Sequence, residues 1–262
     1  MTILCLGCSW TDKYHTDINP WPEVIQSKTN EKVINLGKDG SGNRYAYDQF
    51  LNYIRRNDPP SAVYWLMTEY DRIDCISKND KNSFYTIKTL TQGKNKSMYL
   101  DKWEKRYLEI RPNVAQKELT IEKNRINKES QFASMISEIY DPRDFIDHNL
   151  FLIYMVQNIC NKYNINLKIA SALLPLQSMH VDDLEEKDLG WAILKSKYFN
   201  KISTKDILGW PFYRILGGMT GNQITNWAAE YGISPGDNHP NQKGSDLIAS
   251  FFLGEKNIKD YK

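Results

Sequence analysis

The sequence predicts an α/β fold, a three-layer sandwich with a central parallel sheet and a mostly helical insertion. Short apolar segments that suit buried strands alternate with segments whose apolar residues recur at helical spacing. Hydrophobic residues make up 41% and aromatic residues 12% of the 262-residue chain, which is enough to fill a sizeable core. We expect residues 1–262 to form a single domain, with residues 76–143 as an insertion or cover within it.

Strands are predicted where a short apolar run stops at glycine or proline, because such runs are typical of strands buried on both faces of a parallel sheet. The first run ends at Gly7, the second precedes Gly37, and the last ends at Pro175. The predicted strands are residues 2–7, 32–36, 62–67 and 167–174.

Helices are predicted between and after these strands. The clearest signal is a single apolar face formed by Tyr47, Phe50, Leu51 and Ile54. The predicted helices are residues 20–28, 43–56, 145–163, 184–198, 222–231 and 242–252. The insertion is rich in lysine, asparagine and glutamate, as a solvated face is, and has weaker helical signals at residues 114–125 and 131–139.

Composition excludes several classes of function. The 34 basic and 32 acidic side chains leave a net charge of +2 without a dense basic stripe, so no nucleic-acid partner is expected. A mean hydropathy of −0.58 and the lack of a long apolar run exclude a membrane span. No signal peptide is recognisable, and we expect a cytoplasmic protein, or one of the host cytoplasm or a virion if a phage encodes it.

Four cysteines are too few for a disulfide scaffold in a chain of this size, so reduced thiols are expected. Cys5 and Cys8 form one C-x-x-C pair, but no second pair completes a tetrahedral metal site, and Cys5 lies within an apolar strand. Packing therefore explains Cys5 better than metal binding does. No nucleotide-binding or metal-ligand motif is present, and neither a cofactor nor a metal is expected.

Polar residues follow three of the predicted elements. Residues 7–11 (Gly-Cys-Ser-Trp-Thr) come after the first strand, where Ser9 can present its hydroxyl at the sheet edge. Residues 37–43 come after the second strand, and their glycines let backbone N–H groups approach a ligand. Taken alone, the first segment is also compatible with an ordinary turn, and the second with a loop and a helix cap at Asn43.

The third place lies near the carboxyl end of the chain. Asp237 precedes His239 by two residues, and both come before a predicted helix. An imidazole can accept a serine proton while a carboxylate holds its tautomer, so these residues can supply part of a Ser–His–Asp system. A lone histidine in a loop can equally be a surface residue.

Together the three segments resemble the SGNH/GDSL hydrolase superfamily, whose fold is a flavodoxin-like α/β sandwich. Residues 7–11 look like its first block, with Cys8 where aspartate stands in G-D-S-L. Residues 35–43 look like the second block, whose glycine corresponds to Gly40, and residues 237–240 (Asp-Asn-His-Pro) look like the last. This version is similar to SGNH-like proteins of phages and of bacterial surface-sugar loci.

The third block departs from the family pattern, G-x-N-D, in which asparagine donates to the oxyanion. Residues 66–72 contain no asparagine, and Glu69 would oppose an oxyanion if it pointed inward. Asn43 and Arg72 are the available substitutes as donors.

The resemblance implies a serine esterase that removes a small acyl group, with acetyl expected, from a carbohydrate or similar polar substrate. Ser9 would attack the ester carbonyl, His239 would move the serine proton, and Asp237 would orient His239. The N–H groups of Ser9 and Gly40 and the side-chain amide of Asn43 would hold the oxyanion. Two alternatives stay open: a non-catalytic module of the same fold in a phage particle or glycan locus, and an acyltransferase. Five tryptophans either stack on sugar rings or fill the core: Trp10, Trp21, Trp65, Trp191 and Trp210.

Overall fold

The structure is a computed structural model. It describes residues 1–13, 17–70, 72–76, 84–88, 100–101, 104–105, 107–108, 111–139, 141–172, 193–208, 227–234 and 237–260. The strands are β1 (Thr2–Gly7), β2 (Lys32–Asn35), β3 (Ala62–Met67), β4 (Arg72–Ile76), β5 (Phe84–Lys88), β6 (Asn166–Ser171), β7 (Gly232–Ser234) and β8 (Asp237–Pro240). The α-helices are α1 (Trp21–Thr29), α2 (Asn43–Arg56), α3 (Gln116–Ile139), α4 (Pro142–Lys162), α5 (Trp227–Glu230) and α6 (Gln242–Leu253).

Four strands form a parallel sheet in the order β2-β1-β3-β6. Successive side chains of a strand point to opposite faces of the sheet, and each face is covered by helices. On one face, α2 and α4 pack against strand residues that include Leu4, Leu6, Val63, Trp65 and Ile169. On the other face, α1 and α6 pack against Ile3, Cys5, Tyr64, Leu66 and Ala170. The predicted α/β fold with a central parallel sheet is confirmed.

The strand order reverses at β1. From β1 the chain passes to β2 on one side of it, and it then returns to β3 on the other side. In open α/β sheets a crevice forms outside the carboxyl ends of the strands at such a reversal, and ligands bind there. The segment after β1 therefore lies at the point of the sheet best placed to hold a site.

The predicted strands of the sheet all occur, with ends within a residue or two, although residues 173–174 of the fourth lie outside the described part. Four of the predicted helices correspond to α1, α2, α4 and α6. Of residues 222–231, only 227–231 are described, and they contain the short helix α5. No helix among the described residues is long and apolar enough to cross a membrane.

The prediction of a helix over residues 184–198 is wrong at its end, while residues 184–192 lie outside the described part. Residues 193–195 are helical, and the helix stops at Ser196. The Ser196 hydroxyl donates to Asp147 at 2.5 Å and accepts the Tyr198 N–H at 3.2 Å. Such side-chain bonds compete with the helical backbone pattern, which explains the stop.

The region predicted as a mostly helical insertion also contains strand structure. Its strand β5 pairs antiparallel with β4, which lies before the predicted insertion except for its last residue. Its two weak helical signals belong to one continuous helix, α3, of 24 residues. The β-branched and aromatic residues of β4 and β5 explain why these short segments form strands.

Candidate active site

Ser9 lies in a tight turn directly after β1. The Cys8 carbonyl accepts the N–H groups of Thr11 at 2.9 Å and Asp12 at 3.0 Å, and this closes the turn without starting a longer helix. Gly7 precedes the turn with φ of 157°, and a Cβ there would lie 2.1 Å from the Thr11 hydroxyl oxygen. Only glycine therefore allows the backbone at position 7 to come this close to Thr11. Ser9 lies at the sheet edge and is 7% exposed.

His239 lies on the hairpin formed by β7 and β8, not in the loop expected before α6. Asn241 holds this hairpin in place. Its side chain accepts the Gly244 N–H at 3.0 Å as the cap of α6, and it donates to the Gly232 carbonyl at 2.9 Å. One asparagine thus ties β7, β8 and α6 together beside His239.

The two ends of the chain meet at Ser9 and His239. The His239 Nε2 atom lies 2.8 Å from the Ser9 Oγ atom, although 230 residues separate them in the sequence. This is hydrogen-bond distance, the arrangement that an imidazole needs to take a hydroxyl proton. Asp237 belongs to β8, but its side chain lies outside the described part, and its orienting role stays a prediction.

The glycine-rich segment after β2 forms a turn against the Ser9 turn. The Ser41 N–H donates to the Lys38 carbonyl at 3.1 Å, and Gly40 has φ of 72°, a left-handed conformation that favours glycine. The Asp12 carboxylate accepts the Asp39 N–H at 2.9 Å and so joins the two turns. Among the described residues, neither the Gly40 N–H nor the Ser9 N–H has a hydrogen-bond acceptor.

Asn43 does not have the role predicted for it, because its amide is fully engaged in the fold. The Nδ2 atom donates to the Thr68 carbonyl at 3.1 Å and to Asn149 Oδ1 at 2.8 Å, and the Oδ1 atom accepts the Thr68 N–H. No amide hydrogen remains for an oxyanion. The alternative interpretation as a helix cap is wrong as well, since Gly42 occupies that position.

Glu69 and Arg72 form a buried ion pair between the end of β3 and the start of β4. The Arg72 Nε atom donates to Glu69 Oε2, and Nη1 donates to the Ser41 carbonyl at 3.0 Å. The pairing neutralises the Glu69 carboxylate, so Glu69 has no uncompensated negative charge that would repel an oxyanion. Arg72 in turn fixes the peptide next to the glycine turn, and these contacts occupy it as a structural donor.

Asp74 caps α2 from the β4–β5 hairpin. Its carboxylate accepts the Gly42 N–H at 2.8 Å and the Tyr45 N–H at 2.7 Å, and the Thr86 hydroxyl also donates to it. These are the first-turn N–H groups that a local capping box would satisfy. The carboxylate thereby anchors the hairpin to the helix that follows the glycine turn.

We expect Asp74→Ala to lower the free energy of unfolding by about 1–2 kcal/mol, because two N–H groups at the start of α2 lose their acceptor. Urea unfolding followed by circular dichroism measures this. Asp246→Ala removes an exposed carboxylate that contacts Gln242 on α6 and should change stability by less than about 0.5 kcal/mol. Equal effects of the two substitutions would contradict the capping role.

A small depression of about 20 Å³ opens beside the Ser9–His239 pair. Most of its wall is apolar, and Ser9, Asp12, His239 and Ser245 supply the polar part. The apolar residues that line it are Trp10, Ile18, Pro20, Ile233 and Pro240. This volume is below the range of about 300–1,000 Å³ typical of sites for drug-sized ligands.

The tryptophans in the described part of the chain are core residues. The Trp10 ring stacks on Trp227 with centroids 4.9 Å apart, and only 3% of Trp10 is exposed. Trp21 and Trp65 are fully buried, which agrees with the core alternative. Trp191 and Trp210 lie outside the described residues. Stacking on a sugar ring is therefore not open to Trp10 in this arrangement.

Three of the four cysteines are buried, namely Cys5, Cys8 and Cys160. Burial raises the pKa of Cys5 well above its ordinary value and that of Cys160 to about 12. Both are thus protonated packing residues near neutral pH. Within the described ranges, no group of three or more histidine, cysteine or acidic residues is arranged to hold a metal ion.

The chain is distantly similar to a solved structure. That structure is described as "a putative lipolytic protein of G-D-S-L family" from Desulfitobacterium hafniense DCB-2. The chains are 13% identical, with a TM-score of 0.44, over 96% of this chain and 97% of that one. No family model matches the chain. No curated protein matches it.

The sequence interpretation missed the residues that support the site. Asn241 had a recognisable signal, since an asparagine directly before a helix is a favoured cap. Asp12 and Asn149 had none, because their partners lie 27 and 106 residues away in the chain. Ser245 is also part of the depression, one turn into α6, and no motif indicated it.

Proposed function

We propose that this protein is a serine hydrolase that cleaves a small acyl ester, with Ser9 as nucleophile and His239 as base. The observation that carries the proposal is the 2.8 Å distance between His239 Nε2 and Ser9 Oγ at the carboxyl edge of a parallel sheet. A serine and an imidazole at this separation are the central pair of nucleophilic acyl transfer. The sequence blocks that resemble SGNH/GDSL enzymes contain both residues.

In the proposed reaction, neutral His239 accepts the Ser9 proton as Oγ attacks the ester carbonyl. The resulting oxyanion is held by the N–H groups of Ser9 and Gly40, which have no acceptor among the described residues. His239 then returns the proton to the leaving alcohol, and an acyl-Ser9 ester remains. A water molecule, deprotonated by His239, attacks this ester and releases the carboxylic acid and the free serine. Asp237 orients the imidazole.

The substrate proposed is a small acyl ester, acetyl first, of a carbohydrate or similar polar alcohol. The small volume of the depression beside Ser9 supports a small acyl group. Arg72 and Glu69 neutralise each other and Asn43 is engaged, so the oxyanion would depend on two backbone donors. Such a donor is worth about 3 kcal/mol of transition-state stabilisation.

An alkyl fluorophosphonate probe tests the proposal, because only an activated serine attacks it. We expect stoichiometric labelling of the wild-type protein, with the adduct on Ser9 by peptide mass spectrometry. Ser9→Ala should not label. Ser250→Ala is the matched control, since Ser250 is an equally buried serine whose hydroxyl donates to a helix carbonyl, and it should label like wild type. Absence of labelling in wild type would contradict the proposal.

The second candidate is a non-catalytic module on the same scaffold. The engaged amide of Asn43 favours it, because the site then lacks a side-chain donor for the oxyanion. This candidate predicts no labelling and no turnover, but specific binding of a glycan. If labelling occurs, addition of an acceptor alcohol separates hydrolysis from acyl transfer, since a transferase forms the new ester in place of the free acid.

A further inference from the structure

The walls of the depression beside Ser9 come from segments that are distant in the sequence. Ile18 and Pro20 lie between the Ser9 turn and α1, whereas Ile233 is the central residue of β7. Both isoleucines are partly exposed, so their side chains border solvent as well as the depression. They are the flexible aliphatic part of a lining whose other apolar members are rigid proline and indole rings.

The chemistry of this wall suits one half of an ester better than the other. A carbohydrate alcohol carries hydroxyl groups, and burying a hydroxyl without a hydrogen-bond partner costs free energy. The hydrocarbon end of an acyl group has no such requirement, and it gains from contact with Ile18 and Ile233. A depression that is mostly apolar, small and adjacent to the Ser9 hydroxyl therefore fits the acyl half.

We propose that the depression is the acyl subsite and that Ile233 and Ile18, which both line it, limit the acyl chain to about two carbons. The inference rests on the proposed function and adds the residues that set its specificity. The β7–β8 hairpin then has two roles, since it carries His239 into contact with Ser9 and places Ile233 against the substrate. An additional methylene in a filled apolar pocket changes discrimination by about 10-fold or more.

The test compares kcat/KM for p-nitrophenyl acetate, butyrate and octanoate. Wild type should prefer acetate over butyrate by at least about 10-fold. Ile233→Ala should abolish or reverse this preference, mainly by raising the rate with butyrate. Ile18→Ala, which shortens another side chain of the same lining, should move it in the same direction. Ile121→Ala, which truncates an exposed isoleucine on α3, is the matched control and should keep the wild-type profile.

Ile233→Val keeps the hairpin packed and guards against loss of fold in the alanine variant; it should give a smaller shift in the same sense. A wild-type enzyme that accepts octanoate as well as acetate would overturn the subsite. So would an unchanged acetate-to-butyrate ratio in all three pocket variants, while the proposed hydrolase would stand. Failure of wild type to hydrolyse any of the esters, with Ser9 unlabelled by the probe, would overturn both.

Discussion

Ser9→Ala is expected to lower kcat/KM for p-nitrophenyl acetate by about 10⁴-fold or more, and His239→Ala to a comparable extent. The first substitution removes the atom that attacks the carbonyl. The second removes the base 2.8 Å away, so that the serine hydroxyl keeps its proton and stays a poor nucleophile. Both side chains line the depression and not the core, and circular dichroism should show an unchanged fold.

The double variant distinguishes a working pair from two residues that merely lie in the same place. If Ser9 and His239 act as a unit, Ser9→Ala/His239→Ala should be no less active than either single variant, because the second substitution has nothing left to remove. Ser250→Ala should keep wild-type kinetics. If the losses of kcat/KM in the two single variants multiply in the double variant, or if Ser9→Ala keeps normal turnover, the nucleophile lies elsewhere.

The position of Ser9 at the sheet edge was predictable because topology restricts it, whereas His239 lies on a separate antiparallel hairpin, and its approach to Ser9 was expected from the family resemblance. Ser9 follows a predicted strand, and the carboxyl ends of parallel strands share one edge of the sheet. The glycine turn was predictable in the same way, since Gly40 adopts the left-handed conformation that a tight turn requires. In both cases the local sequence identified the segment, and the topology of the sheet determined its position in the fold.

Other features depend on partners that no local pattern identifies. The Asn43 amide looked free as an oxyanion donor because its acceptors, the Thr68 carbonyl and Asn149, lie 25 and 106 residues away. Asp74 had no predicted role, yet it caps α2 across 32 residues. Long-range polar contacts of this kind satisfy buried groups, and their partners follow from the packed structure and not from residue type.

Arg72→Met is expected to lower the free energy of unfolding by about 3–5 kcal/mol, the largest stability effect we foresee. The substitution removes the guanidinium that neutralises the Glu69 carboxylate, and both side chains are buried, with 5% of Arg72 and 7% of Glu69 exposed. It also removes a donor to the Ser41 carbonyl. Urea unfolding at neutral pH, followed by tryptophan fluorescence, measures the loss.

The physical cause can be separated from simple loss of packing by changing both partners. If a charge left without its counterion is what destabilises Arg72→Met, the double variant Glu69→Met/Arg72→Met should be more stable than the single one, although it carries more changes. Arg111→Met is the matched surface control. Arg111 pairs with Glu118 in solvent, with 59% and 50% of their side chains exposed, and its loss should cost less than about 1 kcal/mol. If the double variant is instead less stable than Arg72→Met, the ion pair is not the cause, and Arg72 stabilises the fold through the Ser41 carbonyl and its hydrocarbon chain.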